Sequence, residues 1–338
     1  MPLEGSRWAG PCSGNVNARK SGRTTRGRRG WRNFDDRRVV VSAFVLLVLF
    51  WASTFPVAKV GLEQAPPILF AGLRSLIGGL SMLAVALVWG GRPGLRGNFV
   101  PYASLSMLNV VLFIGLQSFA ITLLPSGTAA VLIYLQPILT GLLAWLVLGE
   151  SLSWIKFAGL LLGFSGIVVV SAGGISGEIA PQGVAFAFFS ALAWALGTVY
   201  FKRVQDRVPM LWALALSFLS GGLLLSSLGL VAESPEDISV SGSLILSLLY
   251  SGIVGIALAW MLWLGLVRAG EASRVSAYVF FVPLVSVAIG AIFLGERLSV
   301  FLIVGGVLVV SGIYLVNRAP GNEKTTSRPE SPGSRRVL

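Results

Sequence analysis

The sequence predicts an all-α integral membrane protein, with ten transmembrane helices arranged as two inverted five-helix repeats. Three observations predict it: a stretch of chain occurs twice, apolar runs of membrane-spanning length follow one another from residue 39 to residue 317, and positive charge alternates between the connectors. Composition agrees. Hydrophobic residues make up 55% of the chain and charged residues 12%, and mean hydropathy is +0.82. A soluble domain is usually about 25% charged. The 41 glycines suit membrane helices, which approach closely through small residues.

The duplication is read from matched positions. Pro137 and Glu150 recur as Pro283 and Glu296, both at an offset of 146. At the same offset Leu148-Gly149-Glu150 matches Leu294-Gly295-Glu296, Leu152-Ser153 matches Leu298-Ser299, and Ser165-Gly166-Ile167 matches Ser311-Gly312-Ile313. A weaker match at offset 143 pairs Trp51-Ala52 and Lys59 with Trp194-Ala195 and Lys202. A duplicated membrane unit is characteristic of transporters, whose sites lie between the repeats.

The apolar stretches run over 39–60, 67–89, 102–123, 127–148, 154–171, 183–204, 209–231, 244–266, 273–294 and 300–317. Most approach the roughly 20 residues a bilayer requires. Breakers separate them: Pro66-Pro67, Gly90-Gly91-Arg92-Pro93, Gly173-Gly174 and Ser234-Pro235. Arg92 and Arg96 follow the second stretch and Lys156 the fourth. Lys202, Arg203 and Arg207 follow the sixth, and Arg268 and Arg274 the eighth. Connectors after the first, third, fifth and seventh carry no Lys or Arg beyond the helix ends, and Arg297 alone breaks the alternation. The positive-inside rule then places both termini in the cytoplasm. Because the fourth and fifth stretches match the ninth and tenth, each repeat holds five helices. An odd number inserts the second copy upside down. The expected organisation is a basic disordered tail (1–38), repeat 1 (39–171), a linker (172–182), repeat 2 (183–317) and a second disordered tail (318–338).

Trp51-Ala52-Ser53-Thr54-Phe55 resembles the first-helix signature of the EamA-type members of the drug/metabolite transporter superfamily. Arg74, in Phe70-Ala71-Gly72-Leu73-Arg74, is similar to that family's second-helix arginine. The stretches from Pro137 to Glu150 and Pro283 to Glu296 resemble its paired fourth and ninth helices. The resemblance covers residues 39–317. It implies a plasma (inner) membrane transporter, often an exporter of amino acids or other small metabolites. The second repeat has no arginine matching Arg74, so its role need not be symmetric.

Absent residue types exclude several chemistries. The net charge of +12 sits mostly in the tails: residues 1–38 hold ten Lys/Arg against three Asp/Glu. That placement fits topology and contact with membrane lipid rather than nucleic acid. Val39 onward is long enough to span, unlike a cleaved signal. Cys12 is the only cysteine and histidine is absent, so no intrachain disulfide forms and zinc or bis-histidine haem lacks ligands. Gly163-Phe164-Ser165-Gly166 has no histidine to activate its serine; the recurrence at Ser311-Gly312 reads as packing. Asp35, Asp36, Asp206 and Asp237 lie outside the stretches, which excludes an aspartyl protease in the membrane. No enzyme and no cofactor are expected.

Arg74 is the clearest intramembrane charge. Placing an arginine at a helix centre costs at least about 2.5 kcal/mol, so it either snorkels, binds carbonyls or contacts solute. Pro137 and Pro283 each remove a helical donor and read as kinks flanking a cavity or as tolerated bends. Asn109, Gln117, Tyr134, Gln136, Thr140, Trp260, Trp263 and Tyr278 are candidates for a solute pocket, against a role in interhelical packing. The inverted topology puts Glu150 and Lys202 on the cytoplasmic side and Glu296 and Lys59 on the outer side. One reading makes these pairs alternating gates. The other makes the lysines interface anchors and the glutamates solvated or bound to backbone amides. The expected function is alternating-access transport of a small organic metabolite, in the export direction. The alternative is a lipid-handling or structural membrane protein. Partners are then a small solute, membrane lipids and, compatibly, a second copy of the chain.

Overall fold

Apolar helices separated by proline and glycine breakers account for nearly all of the computed structural model, which describes residues 37–124, 126–171, 180–294 and 300–319. The described residues contain helices and no strand. We label them α1 (Arg37–Leu62), α2 (Pro67–Trp89), α3 (Leu95–Leu123), α4 (Ser126–Ile133 and Gln136–Leu143), α5 (Trp154–Ser171), α6 (Pro181–Val204), α7 (Met210–Ala232), α8 (Gly242–Ala269), α9 (Ala272–Ala277 and Phe281–Leu294) and α10 (Val300–Arg318). Nine spans among the described residues are long and apolar enough to cross a membrane. The remaining segment, α9, is divided by a 3-10 turn at Tyr278–Phe280. The tails (1–36 and 320–338), Cys12, Arg297 and Glu296 lie outside the described residues.

Most helix ends fall where proline or glycine predicts. Pro67 and Pro181 stand in the first turns of α2 and α6, where a missing N–H costs no helical bond. Gly149 ends the π turn Ala144–Leu148 after α4 with φ of 68°, a left-handed conformation that favours glycine. Helix α3 departs from expectation. It starts at Leu95, seven residues before the expected 102, and carries Pro101 inside it. Arg96, Gly97 and Asn98 read as connector by polarity, yet Gly97 and Asn98 both donate to the Gly94 carbonyl and extend the helix.

Pro137 and Pro283 are not mid-helix kinks. Helix α4 stops at Ile133, turns at Tyr134-Leu135, and restarts at Gln136 with Pro137 in the first turn. Helix α9 restarts at Phe281 with Pro283 as its third residue. Each proline therefore opens a new helix, where it breaks no ladder.

Two helix pairs run together along most of their length: α2 with α7 and α5 with α10. Gly159 and Gly166 of α5 face Gly312 and Gly305 of α10. A Cβ on Gly159 would lie 2.8 Å from the Gly312 carbonyl oxygen, and one on Gly166 would lie 2.6 Å from that of Gly305. The backbones touch, which is how small residues associate membrane helices. The α2–α7 pair is also tied at its ends. The Glu233 carboxylate accepts from the amides of Ile68 (2.9 Å) and Leu69 (2.8 Å) at the start of α2. At the far end Trp212 Nε1 donates to Gly91 O at 3.0 Å. A carboxylate at a helix N-terminus satisfies unpaired amides and meets the positive end of the helix dipole.

Between these pairs stand the other helices. Helix α1 packs on α8 and α9, α6 packs on α3 and α4, and α4 meets the first piece of α9.

Candidate functional site

An aromatic cluster occupies the middle of the molecule, built by α1, α3, α6, α7 and α8. Trp51 (α1) meets Trp194 (α6) edge to face, with ring centroids 5.5 Å apart and planes at 85°. Trp263 lies 5.7 Å from Trp51 and 5.8 Å from Trp194. Trp260 is 6.3 Å from Trp51 and 5.1 Å from Phe218. Phe113 stacks on Trp194 at 4.7 Å. Such geometries match the quadrupole preference of aromatic pairs.

Hydrogen bonding within this cluster is incomplete. Trp51 Nε1 donates to Gly255 O at 3.2 Å. The indole nitrogens of Trp194 and Trp263 are buried and find no partner in the protein among the described residues. Asn109 Oδ1 is likewise buried and unpartnered; its side chain lies against Gly197, three residues along α6 from Trp194. Outside the cluster, on α4, Gln136 donates through Nε2 to Thr140 Oγ1 at 2.8 Å, leaving its Oε1 unpartnered. Buried polar groups are nearly always satisfied, so these unmatched donors and acceptors call for an explanation.

π turns interrupt the two helices that carry much of this surface. Met107–Leu112 in α3 includes Asn109, and Ser251–Leu258 in α8 includes Gly255. A π turn inside an α-helix frequently accompanies a functional site.

A second polar assembly closes the end where α4, α6 and α8 finish. The Glu150 carboxylate, 9% exposed, accepts from Ala272 N at 2.7 Å, Ser273 N at 3.1 Å and the Ser273 hydroxyl. It thus seats on the N-terminus of α9. Lys202 Nζ donates to the carbonyls of Val267 (2.8 Å), Arg268 (3.1 Å) and Gly270 (2.8 Å) at the end of α8. Lys156, fully buried, pairs with Glu271 at 2.9 Å, and Arg274 meets the same carboxylate at 2.8 Å. Glu150 and Lys202, the inner pair of the gate reading, form no ion pair among the described contacts, and Glu150 instead binds backbone amides, as in the other reading. Helix ends explain it: unpaired amides attract the carboxylate and unpaired carbonyls attract the ammonium.

The remaining expected site residues divide between the centre and its flanks. Trp260 and Trp263 belong to the central cluster, with Asn109 beside it. Tyr134, Gln136 and Thr140 are buried on α4 and at its break. Tyr278, half-buried, meets the Phe44 ring of α1 with centroids 4.1 Å apart and planes tilted by 30°. Gln117 is half-buried on α3. Arg74 lies over the Phe70 ring, 5.7 Å from its centroid, with its Nε buried and unpartnered. It is not in contact with the tryptophan cluster by any of the ring contacts described. Lys59 is exposed at the end of α1.

Sequence reasoning missed Trp51 and Trp194 as site residues, although their match at offset 143 marked them. It also missed Phe113, Glu233, Glu271 and the buried state of Lys156. No local pattern separates these from ordinary aromatic or interfacial residues.

The model of the EamA-like transporter family matches twice, over residues 38–172 and 181–318. The chain belongs to the EamA-like transporter family. An uncharacterized transporter of Bacillus subtilis, YvbV, is 40% identical over 291 residues, covering 86% of this chain and 95% of its own. A protein of Salmonella typhimurium named a probable amino-acid metabolite efflux pump is 30% identical, covering 80% and 92%. A solved crystal structure aligns with a TM-score of 0.72 at 24% identity, covering 83% of this chain and 96% of that one; this likeness shows the fold alone. This family member is a multi-pass membrane transporter. The family and the relatives' names indicate a transporter rather than an enzyme.

Proposed function

We propose that this EamA-like protein is a secondary transporter that exports a small zwitterionic metabolite, such as an amino acid or a close derivative, across the plasma (inner) membrane by alternating access. The carrying observation is the central cluster, where Trp51 and Trp194 meet beside unpartnered donors and acceptors. The Trp194 and Trp263 indole nitrogens offer donors suited to a carboxylate. The Asn109 and Gln136 carbonyl oxygens offer acceptors suited to an ammonium group. A solute with both charges would satisfy groups that the protein leaves bare. The relative named a probable amino-acid metabolite efflux pump supports both class and direction.

Ten helices in two inverted repeats, 39–171 and 183–317, are part of this proposal. Four observations support it. The family model matches twice. The π turns of α3 and α8 overlap when one is displaced by 146 residues. The breaks of α4 and α9 both fall just before the matched prolines. The packing of α1 on α8 and α9 is mirrored by that of α6 on α3 and α4. In this reading both termini are cytoplasmic, and Glu150 on the α9 N-terminus is the inner latch, since α4 and α9 belong to different repeats. Opening the cytoplasmic side withdraws the carboxylate from Ala272 and Ser273.

The test is metabolite profiling of medium from cells over-expressing the wild type, Arg74→Ala or Trp194→Ala, followed by counterflow of the enriched compound in proteoliposomes. A zwitterionic compound enriched by the wild type and lost in Trp194→Ala is the expected result. Identical media from all strains, with all proteins inserted, would overturn the proposal.

A further inference from the structure

Arg74 is a cation inside a membrane-spanning helix, α2, with no ion pair among the described residues, where Lys156 and Arg274 pair with Glu271. Its Nε is buried and unpartnered, and its guanidinium lies over the Phe70 ring, 5.7 Å from the centroid. Holding a charge within the hydrocarbon is costly, so an intramembrane cation that the protein leaves unpaired marks a place for a ligand.

Contacts among three helices fix its level. A Cβ on Gly61 of α1 would run into both the Phe70 ring of α2 and Ser247 Oγ of α8, so the three helices close on one another there. Phe70 is 1% exposed. Residues four apart share a helix face. One turn further in from Phe70 and Ser247, on those same faces, come Arg74 and Ser251. The backbones agree: a Cβ on Gly252, next to Ser251, would lie 2.9 Å from Arg74 O.

Ser251 is fully buried, and its Oγ finds no partner among the described residues. It opens the π turn Ser251–Leu258. Gly255, four residues further along that turn, accepts from Trp51 Nε1 of the central cluster. Arg74 and Ser251 therefore stand between the level of the tryptophans and the closure of Phe70 on Gly61. Each brings to that level a donor that the protein leaves unused.

We propose that Arg74 and Ser251 form a carboxylate site on the outward leg of the transport path, with Phe70 against Gly61 as its outer closure. The proposal rests on the reading of the protein as an exporter whose solute carries a carboxylate, and on the topology that puts the start of α2 at the outer face. A guanidinium and a hydroxyl together suit the two oxygens of a carboxylate. A charge-assisted hydrogen bond outweighs a ring contact. A carboxylate on Arg74 thus draws the cation from Phe70 and leaves that ring able to swing off Gly61.

Charge-selective labelling tests it. Cys12 is the chain's one cysteine, so Ser251→Cys in a Cys12→Ser background carries a single thiol, placed at the site. In phosphatidylcholine vesicles its labelling by anionic sulfonatoethyl methanethiosulfonate is compared with that by the cationic trimethylammonium-ethyl reagent. Each rate is taken relative to that with 2-mercaptoethanol in solution. The expected result is a several-fold preference for the anionic reagent, kept in Arg74→Lys and lost in Arg74→Gln, with both reagents faster in Phe70→Ala. No preference, a preference indifferent to Arg74→Gln, or no labelling even in Phe70→Ala would overturn the site. The reference to the solution thiol decides the matter where Arg74→Gln does not fold. A preference abolished in phosphatidylglycerol vesicles would assign the site to a lipid headgroup and overturn the solute assignment. The labelling needs no solute, so identical media with the preference intact count against the exported zwitterion and not against the anion site.

Discussion

Trp51 and Trp194, two residues at equivalent places in the matched stretches of the chain, meet edge to face with ring centroids 5.5 Å apart. They stand 143 positions apart in sequence and join α1 to α6. An aromatic contact of this kind is worth about 0.5–1.5 kcal/mol beyond its burial. Its position matters more: under the proposed function, the solute binds beside it.

Truncating either tryptophan therefore affects transport and stability in a coupled way. Trp51→Ala and Trp194→Ala each lower the unfolding temperature in detergent, and the double variant loses less than the two singles together. The expected coupling is about 1 kcal/mol. Phenylalanine at either position retains part of the transport, whereas alanine abolishes it. Strict additivity in the thermal cycle would show that the rings do not interact.

Charge exchange between Glu150 and Lys202 is expected to fail. Glu150→Lys impairs transport because it removes the acceptor for the α9 amides and Ser273. Adding Lys202→Glu does not restore it, since Lys202 serves three carbonyls at the end of α8. Ser273→Ala, which removes one hydrogen bond to a charged group, costs about 1.5–3 kcal/mol. Recovery in the double variant would instead mean that the two side chains pair in another state.

Glu233 holds the start of α2 to the end of α7. Glu233→Ala is expected to destabilise the protein by about 0.3–2 kcal/mol, the range for a carboxylate at a helix N-terminus. Glu233→Gln keeps one acceptor and loses less. The midpoints of thermal unfolding in detergent decide the order; alanine equal to glutamine would remove the charge argument.

Adding a methyl group tests the welded helix pair. Gly166→Ala has no room, since its Cβ would fall 2.6 Å from the Gly305 oxygen, while Gly97→Ala meets nothing within 4 Å. The first is expected to cost about 1–3 kcal/mol as an overpacking change, and the second close to nothing. Comparable losses at both sites would mean that the contact with Gly305 does not govern the effect, since helix propensity alone favours alanine over glycine at both.

Topology is checked directly. A reporter fused after Arg318 is expected to read the cytoplasm, and one inserted at Glu236 between α7 and α8 the opposite side. Both on one side would contradict the charge alternation from which the orientation follows.

Class and span order were legible in the sequence because they depend on local properties. Twenty apolar residues seek the bilayer whatever surrounds them, and a proline interrupts a helix wherever it stands. Hence the bounds of α2 and α5 agree with the sequence reading, and Pro137 and Pro283 mark the two broken helices. Even so, the local reading took the prolines for kinks where they open new helices, and missed the start of α3, whose polar residues are held by the Gly94 carbonyl.

Partners were settled only by tertiary structure. Glu150 and Lys202 looked complementary as charges, but the unpaired amides of a helix start hold the carboxylate and the unpaired carbonyls of a helix end hold the ammonium. Those ends, at Ala272 and Gly270, lie far away in sequence. Trp51 and Trp194 are likewise two ordinary membrane tryptophans until packing brings α1 and α6 together. Hydropathy is a property of one segment, whereas a contact is a property of two. By itself the sequence determined which segments enter the membrane and where they break; only the folded chain decided which of their faces meet.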